Sequence, residues 1–164
     1  MFTDPFHIVL IEPEIPPNTG NVARLCAATG SVLHLVGNLG FSIDDRQLKR
    51  AGLDYWHAVD LRLWPDLASL QAAFPAGSYW YTTKKAARTY LQATFQRGDF
   101  LVFGKETTGL PDELLACHND RSLRIPILNS AVRSLNLSTA AGIVLYEALR
   151  QCGCLEPSPA ELPS

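Results

Sequence analysis

Three short segments carry most of the side chains that could bind a ligand or take part in a reaction. The first, residues 12–24, contains three prolines followed by Asn18, Thr19 and Arg24. We predict that Asn18 or Thr19 caps a helix, and the free amides at a helix N-terminus favour an anion such as phosphate. Arg24 would project from an early turn of that helix. The same pattern also fits a purely structural cap and a surface arginine.

The second and third segments place polar side chains at the ends of predicted strands. Residues 103–111 follow a hydrophobic strand. We predict that Gly104 lets a ligand approach the backbone and that Glu106 accepts a hydrogen bond from it. The third segment leads into the last predicted helix, with Ser134 or Asn136 at its start. Their hydroxyl and amide groups suit a ribose or a base edge, although each segment alone also fits an ordinary loop or cap.

Several other catalytic and cofactor signatures are absent from the sequence. There is no GxGxxG turn after the first strand, no P-loop, no HExxH and no GxSxG. The pair Cys152 and Cys154 lacks zinc-knuckle spacing and a second ligand pair, so we expect four reduced thiols and no metal. A hydrolase that uses Ser134 would lack a histidine partner. His7 and His34 lie inside predicted strands and are interpreted as core histidines.

Apolar, β-rich runs alternate with helical patterns along the chain. This alternation predicts an α/β fold with a mostly parallel sheet flanked by helices, in which ligands bind beyond the carboxyl ends of the strands. The predicted strands are 6–11, 32–36, 78–83, 99–103 and 122–125. The predicted helices are 19–29, 43–51, 67–74 and 134–151, with a further helix starting at Pro111. The last helix is predicted to carry one apolar stripe, formed by Leu137, Ala141, Val144, Leu145, Ala148 and Leu149.

The length and composition of the chain are typical of one folded domain. The chain has 164 residues, of which 47% are hydrophobic and 18% charged, and this excludes global disorder. We expect a single domain over residues 1–151 and a flexible, proline-rich tail over 152–164. No stretch approaches the roughly 18 apolar residues of a membrane span, and the first residues lack a basic signal-peptide start. We therefore expect a cytoplasmic protein with no membrane partner.

The formal net charge of −2 excludes a protein that coats nucleic acid by bulk charge alone. The positive residues nevertheless form three local groups. We predict that two of these groups contact phosphates around Arg24 and that one is a solvated face. The groups are Arg46, Lys49 and Arg50; Lys84, Lys85 and Arg88; and Arg121, Arg124 and Arg133.

In their order along the chain, the three segments resemble the motifs of the SPOUT superfamily of knotted RNA methyltransferases. Within it they are most similar to the stand-alone tRNA (cytidine/uridine-2′-O)-methyltransferases that modify the wobble nucleotide, position 34. The resemblance runs from about residue 8 to residue 151. The similar stretches read EPEIPPNTGN with Arg24, AGLDY, FGKETTGLP, and IP followed by SLNLS.

The resemblance implies a deep C-terminal trefoil knot, which is an exception to the rule that chains do not thread loops. It implies a homodimer with the first and last helices at the interface. It also implies S-adenosyl-L-methionine bound in the knot, S-adenosyl-L-homocysteine as product, and the anticodon stem-loop of tRNA as partner. The implied cofactor contacts are Tyr81, Gly104, Ile125, Ser134 and Leu135. The implied catalytic residues are Arg24, Asn18, Glu106, Ser134 and Asn136.

The implied reaction is attack of a ribose 2′-oxygen on the methyl carbon of the sulfonium, with positioning supplying much of the rate. The family assigns removal of the 2′-hydroxyl proton to the arginine, here Arg24. Because a guanidinium stays protonated, with a pKa above about 12, we expect Arg24 mainly to clamp the adjacent phosphate. Two alternatives stay open: methylation of a different ribose in tRNA or rRNA, and a non-catalytic module that binds RNA or cofactor.

Overall fold

The computed structural model describes residues 4–157, apart from the side chains of residue 49 and residues 52–54. Its strands are β1 His7–Ile11, β2 Val32–Val36, β3 Asp60–Trp64, β4 Tyr79–Thr82, β5 Phe100–Phe103 and β6 Ser122–Leu123. Within the described residues they form one sheet in the order β3-β2-β1-β5-β4-β6. Every pair of neighbouring strands is parallel, which confirms the predicted parallel α/β sheet.

Five helices flank this sheet in the described part of the chain. They are α1 Pro16–Thr29, α2 Arg46–Gly52, α3 Leu67–Ala73, α4 Asp112–Cys117 and α5 Leu137–Gln151. Short 3-10 turns lie at Leu53–Ala58 and Asn119–Arg121. Across these residues, no helix has the length and apolar content that a bilayer crossing requires.

The first helix begins earlier than the sequence analysis predicts, and this changes the place of Asn18. α1 starts at Pro16, because proline presets the helical φ and lacks an N–H that would go unused there. Asn18 therefore lies inside the first turn. The predicted cap by Asn18 or Thr19 is wrong, since Ile15 precedes the helix and no side chain caps it.

The last helix begins later than predicted. Asn136 is its N-cap and accepts hydrogen bonds from the amides of Ser138 and Thr139. Of the two predicted starting residues, Asn136 is therefore correct, and Ser134 lies outside the helix. The predicted apolar stripe of α5 is buried, and its members are Leu137, Ala141, Val144, Leu145, Ala148 and Leu149.

Each face of the sheet is covered by its own core. Successive side chains of a strand point to opposite faces, so Ile8 and Leu10 pack in a cluster with α1 and α5. Val9 packs in a second cluster with residues of α3 and the start of α4. Cys152 and Cys154, at the start of the predicted tail, pack against the first cluster. Residues 158–164 of that tail lie outside the described residues.

Both edge strands differ from the sequence expectation. β3 was not predicted, because it has no continuous apolar run and alternates exposed charged residues with leucines. Asp60 and Arg62 form an exposed ion pair there, at 3.0 Å. Charged side chains are common on edge strands, where they prevent pairing with a strand of another molecule. β6 is shorter than predicted and ends at Leu123, after which Arg124 makes an isolated bridge with Thr89.

The two histidines predicted as core residues are buried and joined by a hydrogen bond. His7 Nδ1 lies 2.9 Å from His34 Nε2, and Trp64 Nε1 lies 2.9 Å from His34 Nδ1. Indole N–H only donates, so His34 Nδ1 accepts and its Nε2–H donates to His7. Both rings are thus neutral. Burial and, to a lesser extent, Arg62 lower the pKa of His7 to about 4. Burial and, to a lesser extent, His7 and Arg62 lower the pKa of His34 to about 3.

This pair predicts a loss of stability in mild acid. At pH values between the ordinary histidine pKa of 6.5 and these lower native values, the unfolded chain binds protons that the native chain does not bind. Stability should be complete above pH 6.5 and fall as the pH drops toward 4, by at most about 1.4 kcal/mol per pH unit for each proton. Urea denaturation across this pH range measures it.

The matched variants separate this pair from other titrating groups. A His7→Gln/His34→Gln double variant should show a shallower pH slope between 6.5 and 5, whereas His57→Gln, at an exposed position, should keep the wild-type slope. Equal slopes in all three proteins would contradict the assignment.

Candidate functional site

The first and second segments leave neighbouring strands at the carboxyl edge of the sheet. β1 ends at Ile11, and Leu10 of β1 pairs with Phe103, the last residue of β5. The chain turns sharply after β1, because Glu12 has a φ of 49°, which is rare for a residue other than glycine. The first segment therefore leaves the sheet in a sharp turn.

The carboxylate of Glu106 occupies the N-terminal end of α1. Its Oε2 accepts the amide of Glu14 at 2.8 Å, and its Oε1 accepts the amide of Ile15 at 3.1 Å. Oε1 also accepts from Asn18 Nδ2 at 3.3 Å. The anion predicted at this helix N-terminus is therefore supplied by the protein itself. Glu106 holds the first and second segments together, and its oxygens face donors of its own chain.

A directional chain of amides continues from Glu106 to the last helix. A carboxylate only accepts, so the NH₂ of Asn18 must face Glu106 and its Oδ1 must face away. That Oδ1 accepts from Asn136 Nδ2 at 2.8 Å. Asn136 Oδ1 in turn accepts the amide of Ser138 at 2.9 Å. The three segments singled out in the sequence thus meet in one hydrogen-bonded chain.

A second contact returns from the Glu106 loop to the first segment. Glu14 Oε1 accepts from Thr107 Oγ1 at 2.6 Å and from the Thr107 amide at 3.2 Å. These hydrogen bonds lower the pKa of the Glu14 carboxyl, so it stays ionised. Because the Glu14 amide also donates to Glu106, the two loops are tied in both directions.

Gly104 is required by the loop itself. A Cβ at Gly104 would lie 2.1 Å from Gly109 C and 2.3 Å from Leu110 N. The chain turns back at Gly109, whose φ is 70° and whose amide donates to the Lys105 carbonyl at 2.9 Å. The returning backbone is thus one reason for a glycine at this position, beside the predicted approach of a ligand.

A cleft of about 520 Å³ opens between these segments and the end of β4. It brings together seven of the nine residues predicted for the site. They are Asn18, Gly104, Glu106, Ile125, Ser134, Leu135 and Asn136. Apolar walls come from Phe103, Leu110, Leu115, Ile127 and Leu137, and hydroxyl groups come from Thr82 and Thr83.

Two predicted site residues do not line this cleft. The side chain of Tyr81 is buried in the core on the other side, where it stacks on His118 at 4.6 Å and bonds Gln71 at 3.3 Å. Its neighbours Thr82 and Thr83 line the cleft instead. Arg24 is exposed on α1 and faces a separate groove.

The predicted basic groups are also divided by the structure. Lys84, Lys85 and Arg133 line the cleft. Arg88 and Arg121 instead lie over the Trp80 ring, at 5.5 and 4.1 Å from its centroid. Those two guanidiniums therefore serve local packing, as cation–π partners of a buried indole.

Sequence reasoning missed the loop after β2, which supports the first segment. A Cβ at Gly37 would lie 2.8 Å from the Glu12 side chain, and one at Gly40 would lie 2.8 Å from the Glu14 Cα. The Gly40 amide donates to the Pro13 carbonyl at 3.0 Å. The sequence signal for this loop was the pair of glycines, three residues apart, that follows a predicted strand.

The sequence profile of the SpoU rRNA Methylase family matches residues 5–146. A relative from Saccharophagus degradans, named tRNA (cytidine(34)-2'-O)-methyltransferase, is 48% identical over 152 residues, covering 90% of this chain and 96% of the relative. A solved structure described as giving insights into the 2-OH methylation of C/U34 on tRNA is 46% identical, with a TM-score of 0.86 over 90% of this chain and 96% of that one.

An AdoMet-bound rRNA methyltransferase from Sinorhizobium meliloti is 27% identical with a TM-score of 0.79. This match covers 89% of the present chain but 56% of the longer one.

Proposed function

Because the chain belongs to the SpoU rRNA methylase family, we propose that it transfers a methyl group from S-adenosyl-L-methionine to the ribose 2′-hydroxyl of nucleotide 34 of tRNA. The observation that carries the proposal is the cleft at which the three segments meet. The name of the 48%-identical relative and the subject of the 46%-identical structure support position 34. Such an enzyme would work in the cytoplasm, where tRNA is found.

The residues of the cleft fit this cofactor. Apolar side chains at Phe103, Ile125 and Leu137 suit an adenine ring, and the hydroxyl of Ser134 suits a ribose. Thr82 Oγ1 is buried at the wall and has no hydrogen-bond partner among the described residues. The protein thus leaves one polar group unmatched where the ligand would lie.

Each polar side chain of the hydrogen-bonded chain would then have a positional role. When bound, S-adenosyl-L-methionine supplies an electrophilic methyl group. The chain from Glu106 through Asn18 to Asn136 fixes the walls relative to one another, so that the 2′-oxygen is held in line with its target. Glu106 acts here as a positioning residue, because both of its oxygens accept from backbone amides.

The proposal includes a homodimer. Arg24 does not line the cleft of its own chain, so a second copy would supply it. Exposed apolar side chains at the N-terminal end of α1 and on α5 support this arrangement: Ile15 is 44% exposed and Tyr146 45%. The two helices α1 and α5 contact one another.

The proposal also includes the C-terminal knot. β6 lies at the sheet edge, whereas α5, which follows it, packs back at the centre against β5 and α1. Near its end, the Gln151 side chain bonds the Phe95 amide and the Ala93 carbonyl, both at 2.9 Å. The helix end is thus held by the segment between β4 and β5, and this contact supports the proposed knot.

Methyl transfer to total tRNA tests the function directly. The purified protein, labelled S-adenosyl-L-methionine and bulk tRNA should give label on the ribose of nucleotide 34 after nuclease digestion. Label on a base, or at another position, would overturn the wobble assignment. Thermal stabilisation by S-adenosyl-L-homocysteine without any transfer to tRNA or rRNA would instead favour a binding module.

A further inference from the structure

The groove that Arg24 faces is separate from the cleft and has its own composition. It has a volume of about 470 Å³ and is lined by Pro17, Asn21, Arg24, Gln47, Arg50 and Ala51. Two guanidiniums and two carboxamides supply its polar groups, and none of these lining residues is acidic. Guanidinium and amide N–H groups donate hydrogen bonds, so the groove suits an anionic ligand.

The packing of α1 against α2 places these side chains in the groove. Pro17, Asn21 and Arg24 follow a spacing of four and three residues, which puts them on one face of α1. In α2, the fully buried Leu48 fixes the rotation of the helix, and Gln47 and Arg50 lie beside it toward α1. The groove is therefore built by two helices with a defined orientation.

Arg24 is held in place without losing its donors. Its guanidinium lies over the ring of Tyr55, 5.3 Å from the centroid. A stacked guanidinium keeps the N–H groups at its edge free for a phosphate. Among the described residues, neither Arg24 nor Arg50 forms an ion pair with a carboxylate. Two unneutralised guanidiniums that line one groove repel each other, and an anion between them relieves that repulsion.

We propose that this groove is a phosphate-binding site for the RNA backbone, in which Arg50 and Gln47 of α2 act together with Arg24. The proposal rests on the methyltransferase function proposed above and extends it to residues of α2. A phosphodiester held between Arg24 and Arg50 would fix the RNA strand beside the nucleotide whose ribose reacts. Because bidentate contacts need the planar fork of arginine, lysine at position 50 would serve only as a point charge.

Equilibrium binding to a synthetic anticodon stem-loop RNA, at several salt concentrations, tests the site. Arg50→Ala should weaken binding about tenfold and reduce the slope of log K against log salt by about 0.7, as expected for one lost phosphate contact. Arg50→Lys should keep the slope and recover only part of the affinity. Arg46→Ala removes the same charge from α2 outside the groove and should have a clearly smaller effect.

The outcomes separate this site from the proposed activity. Equal effects of Arg46→Ala and Arg50→Ala, or an unchanged salt slope in Arg50→Ala, would overturn the groove as a specific site. Stabilisation by S-adenosyl-L-homocysteine should be the same in wild type and Arg50→Ala, since Arg50 does not line the cleft. If the wild type binds RNA through Arg50 but transfers no methyl group, the groove stands and the proposed function fails.

Discussion

A dimer made of two inactive variants is expected to regain methyl transfer if Arg24 acts in the cleft of a second copy. Arg24→Ala should lose about 100-fold or more of the activity, as expected when a charged positioning group is removed. Ser134→Tyr should be inactive because Ser134 is exposed and lines the cleft, so a large side chain there fills it. A heterodimer of the two retains one cleft that is open and faces an intact Arg24.

This experiment uses two affinity tags, so that heterodimers are purified from co-expressed chains. The heterodimer should show about half of the wild-type activity, since one of its two sites is complete. Each homodimer is the control and should stay inactive. A heterodimer as inactive as its parents, or a wild-type chain that is monomeric by light scattering, would show that Arg24 does not act across an interface.

The Gly104→Ala variant is expected to lose cofactor binding together with the local fold. The added methyl group would lie 2.1 Å from Gly109 C and 2.5 Å from Gly109 O, and these are backbone atoms that cannot rotate away. We expect a cost of about 3 kcal/mol or more in folding free energy. Thermal unfolding, with and without S-adenosyl-L-homocysteine, measures both losses.

Gly109→Ala is the matched control, because it makes the same change in the same loop. A Cβ at Gly109 meets no atom within 4 Å, so the cost comes only from its φ of 70° and should be about 1 kcal/mol. We expect this variant to bind S-adenosyl-L-homocysteine with modestly lower affinity. If Gly104→Ala binds S-adenosyl-L-homocysteine as well as Gly109→Ala does, the close approach at Gly104 is not needed for cofactor binding.

The local sequence pattern was sufficient to predict those strands and helices whose own residues show which side is buried. The apolar runs at residues 32–36 and 99–103 and the stripe of α5 are buried as predicted, since burial on both faces of a sheet needs continuous apolar residues. The edge strand β3 was not predicted, because a half-exposed strand carries charged residues and therefore lacks a continuous apolar run. The ordered motifs also located the cleft, since the first two segments follow the adjacent strands β1 and β5 and the third follows β6 in the same sheet.

The roles of individual side chains could not be predicted from local pattern. Asn18 resembled a helix cap, but its partners Glu106 and Asn136 are 88 and 118 positions away in the chain. Tyr81 lies one residue before the cleft, and strand alternation turns its side chain to the opposite face. The placement of Arg24 in a separate groove depends on α2, whose packing no single motif encodes.

The amide chain between Glu106, Asn18 and Asn136 also bears on the order of folding. Its two long-range hydrogen bonds close loops of 88 and 118 residues, and loop closure of that length is entropically costly and slow. The bond from Asn18 to Glu106 cannot form until β5 lies beside β1, and the bond from Asn136 to Asn18 cannot form until α5 has reached the first turn of α1. We therefore expect affinity for the cofactor to arise in the last kinetic phase of refolding, so that ligand binding reports the arrival of the C-terminal helix.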